Sequence, residues 1–366
     1  TIDRNALLKP LGHVYSVVER RNTIPILSNV LIETNSSKVS FTATDMDMDI
    51  VEETSCIVSS QGKATLAAHT LHDIVRKCPD GSEIKIELKD LNVEVSAGKS
   101  KFILPTLPVD DYPIMTNIDK AYEFKIGSID LANLIDNTKF AISSEETRYY
   151  LNGIFLHVPE SNKEKLRAVA TDGHRLAQAE IPLPEGAEDM SGIILPRKAV
   201  GEIRKLTDEI DGEIKIIISN SKAQFIFTNS ILTTKLIDGS FPDYQRVIPK
   251  ENLNKLIVSN SDFSKAIDRV STVSMEKSRA VKLSLSNNLI SLNVNSHDVG
   301  NASEDLEIDY NHDSLEIGFN SKYLLDIASQ IQGKEIEILL SDSASPALIT
   351  DPDQDGVIFV LMPMRV

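Results

Sequence analysis

Apolar residues recur along this chain in two periods. Over residues 3–18, 128–142 and 261–273 they return every third or fourth position, as at Leu131, Leu134, Ile135 and Phe140. That spacing gathers one apolar stripe along a helix. A short polar residue that can accept hydrogen bonds from a first helical turn opens each stretch: Asp3, Ser128 or Asp130, and Ser261 or Asp262. After each helix the period shortens to two, which predicts strand pairs at 30–33 with 39–43, 153–158 with 166–170, and 280–285 with 289–294. A further strand then runs into a second helix: 64–67 into 70–77, 192–195 into 198–207, and 315–319 into 321–330. Alternating strands close each third, beginning at 83–88, 213–219 and 335–340.

The same order of elements therefore occurs three times, with a period of about 125 residues, the size of one domain and far above that of a solenoid repeat. Polar, turn-rich stretches near Asp119 and around 249–254 mark the joints. The reading is an α+β chain of three similar domains, 1–119, 120–250 and 251–366, each with two helices on antiparallel sheets.

Composition narrows the function. Hydrophobic residues are 41% and charged residues 25% of the 366, an ordinary balance for a globular protein. Tryptophan is absent, so Ile, Leu and Val must fill the cores. Cys56 and Cys78 alone give neither a disulfide framework nor a zinc site, which points to a reducing cytoplasm. No apolar run approaches a membrane span and no leader opens the chain. The net charge of −16 argues against nucleic acid unless the basic residues are sorted onto one face, because phosphate binding is driven by Lys and Arg.

The middle of the chain carries the candidate chemistry. Residues 168–177 read as a strand, a two-residue Asp172-Gly173 turn and a returning strand, with His174 and Arg175 just past the turn. Such a turn is ordinarily a solvated surface feature. It stands in company, however. Arg148-Tyr149-Tyr150-Leu151-Asn152-Gly153, Thr171–Leu176, Phe241-Pro242-Asp243-Tyr244 and Met362-Pro363-Met364-Arg365 together closely resemble the bacterial replicative sliding clamp, the β subunit of DNA polymerase III. The resemblance covers essentially the whole chain.

What the resemblance implies is specific. The fold is the DNA clamp fold, closed as a homodimeric ring with helices lining the hole. The function is non-catalytic: the ring encircles duplex DNA without reading sequence and tethers the replicative polymerase, the clamp loader and other proteins that carry a clamp-binding motif. No cofactor or metal is implied. The DNA-facing set is Arg21, Arg76, Tyr149, Tyr150, Arg197, Lys198, Arg204 and Lys205; the cations at 197–198 and 204–205 also sit two turns apart on one helical face. The acidic loop 143–147 departs from the family. A partner groove is implied at Leu151, Thr171, Gly173, His174, Arg175, Leu176, Pro242, Arg246, Val247, Val360, Met362, Pro363, Met364 and Arg365. Its Leu, Val and Met side chains suit a deformable peptide floor, and Arg175, Arg246 and Arg365 suit carbonyl or acidic groups of a peptide. The dimer seam is implied at Lys99, Lys101, Phe102 and Leu104 against Thr272, Val273, Asp298 and Glu304 of a second copy.

Several local motifs compete. Residues 351–356 copy the first half of an EF-hand loop, but position twelve is Met362 and not Glu, so an acidic turn is expected. Asp45, Asp47 and Asp49 alternate with Met46 and Met48, as on a half-buried strand. His69 and His72 lack the spacing of a zinc-protease helix. Two rival functions remain: an acidic enzyme using His174 with Asp172, and a peptide-binding scaffold without DNA.

Overall fold

The computed structural model describes residues 1–20, 22–115, 118–274 and 279–365. They form two units. One comprises 1–131, 184–187 and 198–236; the other comprises 132–183, 188–197 and 237–366.

The first unit contains an eight-stranded antiparallel sheet in the order Lys63–Ala67, Asn29–Asn35, Lys38–Thr44, Met48–Ser55, Ser230–Lys235, Lys222–Ile226, Glu213–Ile218, Tyr122–Gly127. Four of these strands come from the first third of the sequence and four from the middle third. They meet where Ile50 lies opposite Leu232. A four-stranded sheet, Ile2–Asp3, Glu83–Lys89, Asn92–Ala97 and Ser100–Pro105, completes the unit.

The second unit repeats the plan. Its eight-stranded sheet runs Ile193–Pro196, Gly153–His157, Lys165–Thr171, Arg175–Pro182, Val357–Leu361, Ala347–Thr350, Glu335–Leu340, Asn254–Ser259. Middle and last thirds meet where Leu176 lies opposite Val360. Its four-stranded sheet runs Gly300–Glu307, Leu289–Ser296, Ala280–Ser286, Leu315–Asn320. Strands such as Ala280–Ser286 alternate buried and half-buried positions, because one sheet face packs into the core, whereas central strands such as Lys165–Thr171 are buried along most of their length.

Among the described residues the α-helices are Arg4–Val17, Ala68–Lys77, Ser128–Asp136, Arg197–Thr207, Asn260–Val270 and Ser321–Ala328, two per third of the sequence. Asp3 caps the first, accepting from the N–H groups of Asn5 (2.8 Å) and Ala6 (3.1 Å). The third-domain cap differs from expectation. The hydroxyl of Ser259 accepts from Asp262, so the helix begins before Ser261. The middle helix stops short of residue 142: Asn137 and Thr138 bond back to the carbonyls of Asn133 and Leu134, and a separate turn, Lys139–Ala141, follows.

The Asp45–Asp49 motif is not one strand. The chain turns at Met46, whose φ is +78°, and the strand starts at Met48. The Asp45 carboxylate accepts from the N–H groups of Asp47 and Met48, competing locally with strand formation. The 351–356 segment is a turn in which the Asp351 carboxylate accepts N–H bonds from Gln332, Gly333 and Asp353. Among the described residues no helix is long and apolar enough to cross a membrane.

Candidate partner groove and basic helix

The candidate groove begins at the turn between strands Lys165–Thr171 and Arg175–Pro182. Thr171 pairs with Leu176, so four residues intervene and not two. Gly173 alone among them has a positive φ, +86°. The turn is held by Asp172, whose carboxylate accepts from the N–H groups of His174 (2.9 Å) and Arg175 (3.0 Å), and by the Thr171 hydroxyl, which donates to the Arg175 carbonyl at 2.7 Å. This geometry leaves Gly173 and His174 exposed at the rim.

The last strand lies alongside. The N–H of Met362 donates to the His174 carbonyl at 2.9 Å, carrying Met362 past the rim with 38% of its surface exposed. Leu176, Val360, Val169 and Tyr244 form one buried cluster, against which Phe155, Phe241, Ile248 and Leu348 pack. The short turn Tyr244–Val247 buries only Tyr244 and leaves Arg246 and Val247 outside. Pro242 and Arg365 are exposed, Pro363 and Met364 half-buried, and Leu151 buried. An apolar floor with exposed Val, Met and Pro around it can take up apolar side chains of a partner at little reorganisation cost.

Arg175 corrects the sequence reading. It is 9% exposed. Its guanidinium is committed to Asp326 (2.5 Å), the Phe140 carbonyl (2.8 Å) and Asp172 (3.2 Å). All three of its nitrogens are thus engaged within the protein, and it holds the turn from behind. Arg246 pairs with Asp243 on the surface and remains available.

A polar network that sequence reasoning missed lies under the floor. The Tyr244 hydroxyl meets Arg167 Nη1 at 2.7 Å and His157 Nε2 at 3.0 Å, and Arg167 pairs with Glu180. Burial, then the neighbouring Arg167 charge, pushes His157 down to about 4, so the imidazole is neutral near pH 7. An arginine inside the apolar run Leu166-Arg167-Ala168-Val169 was the available signal.

The basic helix is Arg197–Thr207, and each of its four cations has a partner. Arg197 Nη2 donates to the Ile142 carbonyl at 2.5 Å. Lys198 meets the Asp45 carboxylate at 2.5 Å and the Val17 carbonyl at 3.0 Å. Arg204 pairs with Asp208, and Lys205 with Glu202 at 2.8 Å. Lys205 has 56% of its side chain accessible, against 39% for Lys198 and 20% for Arg204. Tyr149 is 54% exposed and packs edge-on to half-buried Tyr150 at 5.8 Å. Arg76 is exposed beside Asp73, and Arg21 lies outside the described residues. Within the acidic loop Glu145 pairs with Arg148 at 2.5 Å, and Arg148 also reaches the Asp172 carbonyl.

Three family profiles match the chain in series: DNA polymerase III beta subunit, N-terminal domain over residues 1–116, central domain over 125–243, and C-terminal domain over 245–365. This chain belongs to the DNA polymerase III beta subunit family. It is 49% identical to the beta sliding clamp of Caulobacter vibrioides over 369 aligned residues, covering 100% of this chain and 99% of that protein. It is 35% identical to the beta sliding clamp of Escherichia coli, with the same coverage. The solved DnaN sliding clamp of Bartonella birtlesii, bound to griselimycin, superposes with a TM-score of 0.98 at 48% identity, covering 100% of this chain and 98% of that one.

Two edge strands acquire meaning in a beta subunit. Ser100–Pro105 ends the four-stranded sheet of one unit, and Gly300–Glu307 ends that of the other. Phe102 and Leu104 are half-buried on the first, while Lys101 pairs with Glu94 and Lys99 stands exposed in the preceding turn. Glu304 on the second pairs with Arg269, Asp298 is exposed in a turn, and Thr272 and Val273 lie in the short turn Ser271–Val273. Each edge presents a row of backbone donors and acceptors that invites another strand.

Proposed function

We propose that this chain is a non-catalytic DNA sliding clamp whose two copies close into a ring around duplex DNA and tether the replicative polymerase. The observation that carries this reading is the full-length match to the beta subunit family, in three consecutive domains, together with the edge strands Ser100–Pro105 and Gly300–Glu307 of the two four-stranded sheets. In each eight-stranded sheet, one third of the sequence supplies four strands and the next third four more. The two remaining four-stranded sheets would make a sheet of the same kind across a dimer seam, with Lys99, Lys101, Phe102 and Leu104 facing Thr272, Val273, Asp298 and Glu304 of the second copy. This reading keeps the three domains at 1–119, 120–250 and 251–366.

The DNA-facing set would be Arg21, Arg76, Tyr149, Tyr150, Arg197, Lys198, Arg204 and Lys205. Partnered cations suit a sliding contact. They hold phosphates weakly, and topology in place of affinity keeps the protein on DNA. The groove around Leu176, Val360, Val247 and Met362 would take the polymerase, the clamp loader and other peptide-bearing partners, and griselimycin by analogy with the Bartonella relative. The rival enzyme reading finds no support in the turn, because the Asp172 carboxylate is occupied by backbone N–H groups and Arg175, while the His174 ring stacks on Tyr323 at 6.2 Å.

The deciding experiment loads the protein on a nicked circular plasmid and then linearises the plasmid. A clamp is retained on the circle and lost from the linear form. Equal retention on both removes the clamp reading.

A further inference from the structure

We infer that Tyr244 is the positioning residue for the outer wall of the partner groove, and that His157 and Arg167 act through its hydroxyl. This rests on the groove reading above and goes beyond it, since it assigns a role to residues beneath the groove surface, with His157 and Arg167 under the floor that the Tyr244 ring enters.

The outer wall, residues 241–248, is thinly held. Its backbone hydrogen bonds, from Tyr244 to Pro242 and from Arg246 to Asp243, stay within the segment. Among the described residues the hydrogen bonds that leave it are those of the Tyr244 hydroxyl, to Arg167 and His157. Pro242, Arg246 and Val247 project from this segment into solvent. Tyr244 is 5% exposed, and its ring enters the cluster of Val169, Leu176 and Val360 that forms the floor. Phe241 and Ile248 add apolar contacts to that floor, so Tyr244 is the wall side chain that joins it by both packing and hydrogen bonds.

The network has a direction. Arg167 can only donate, so Tyr244 accepts from it. His157 stays neutral beside the Arg167 charge, so its Nε2 can accept the hydroxyl proton of Tyr244. Donation into the hydroxyl from a cation strengthens its own donation to His157. A stack reinforces the arrangement: His157 lies on Phe155 (4.4 Å, 18°), and Phe155 lies on Phe241 (4.9 Å, 9°) at the start of the wall. Strands Gly153–His157, Lys165–Thr171 and Arg175–Pro182, which carry His157, Arg167 and Glu180, already hold one another by backbone ladders. The network therefore serves the loop more than the sheet.

The test uses Tyr244→Phe, which keeps the ring and deletes only the hydroxyl. Binding of fluorescein-labelled griselimycin to the full-length protein should weaken about five- to tenfold, mostly through faster release, as for a lost buried hydrogen bond to a charged donor. His157→Leu should weaken binding similarly, and the double variant should be no worse than either single one, because both break the same chain. His157→Gln, which restores an acceptor at the Nε2 position, should recover most of the affinity. A merely structural role would lower the thermal midpoint in every variant without this pattern in affinity. Equal binding by wild type and Tyr244→Phe overturns the inference and leaves the groove standing. Failure of the wild type to bind the probe, or binding that ignores Met362→Glu, removes the groove reading and the inference with it.

Discussion

The guanidinium carbon of Arg175 lies 4.4 Å from the centre of the Tyr323 ring. The same group reaches Asp172, Asp326 and the Phe140 carbonyl, so one side chain ties the groove turn to a helix and to a neighbouring loop. A planar fork with several fixed donors can do this; an ammonium cannot. Arg175→Lys should lower unfolding free energy by about 2 kcal/mol, and Arg175→Ala by about 3 kcal/mol, because Asp172 and Asp326 lose a shared partner. Urea titration measures both. A loss under about 0.5 kcal/mol for Ala would show the network to be dispensable.

His13 sets a pH dependence in the first unit. Its Nδ1 meets Glu52 at 2.6 Å and its Nε2 meets Glu209 at 2.7 Å. Glu209 also takes Lys9, while Ser16 on the same helix donates to Glu202, itself paired with Lys205. Burial opposes the imidazolium, yet the two carboxylates outweigh it and raise His13 above its ordinary value of 6.5. A raised histidine stabilises the fold fully below the unfolded value, and that stabilisation disappears as pH climbs through the folded value. Stability should therefore fall over the pH range that opens above about 6.5 in the wild type and fall less in His13→Gln. Thermal midpoints across that window decide it, and parallel curves would refute the assignment.

Gly153 closes the Arg148–Gly153 motif for a steric reason. A Cβ there would stand 2.2 Å from the Leu195 carbonyl oxygen, a backbone atom of the paired strand Ile193–Pro196. Gly153→Ala should cost about 3 kcal/mol or more, since a strand must move and no rotamer relieves the clash. Gly201, in the interior of helix Arg197–Thr207 with nothing within 4 Å of its Cβ position, is the matched control. Gly201→Ala should be neutral or stabilise by up to about 1 kcal/mol. Calorimetry of the pair separates steric demand from backbone entropy.

By itself the sequence determined the elements and their triplication. Helical and alternating apolar periods report local burial, and caps such as Asp3 act within one turn, so both are readable from neighbours in the chain. It also carried the family, through motifs spread from Arg148 to Arg365. Only the tertiary structure decided what the charged residues do. Arg175 sits beside the groove in sequence yet faces inward, because Asp326, 151 positions away, completes its ion pair. Lys198 reads as a DNA-facing cation but meets Asp45 from the turn between two strands, and Tyr244, which enters the sequence reading only through the Phe241–Tyr244 motif, anchors the wall through Arg167 and His157. Partners that far apart along the chain leave no periodic trace, and their pairing is fixed only when the sheets bring them within hydrogen-bond reach.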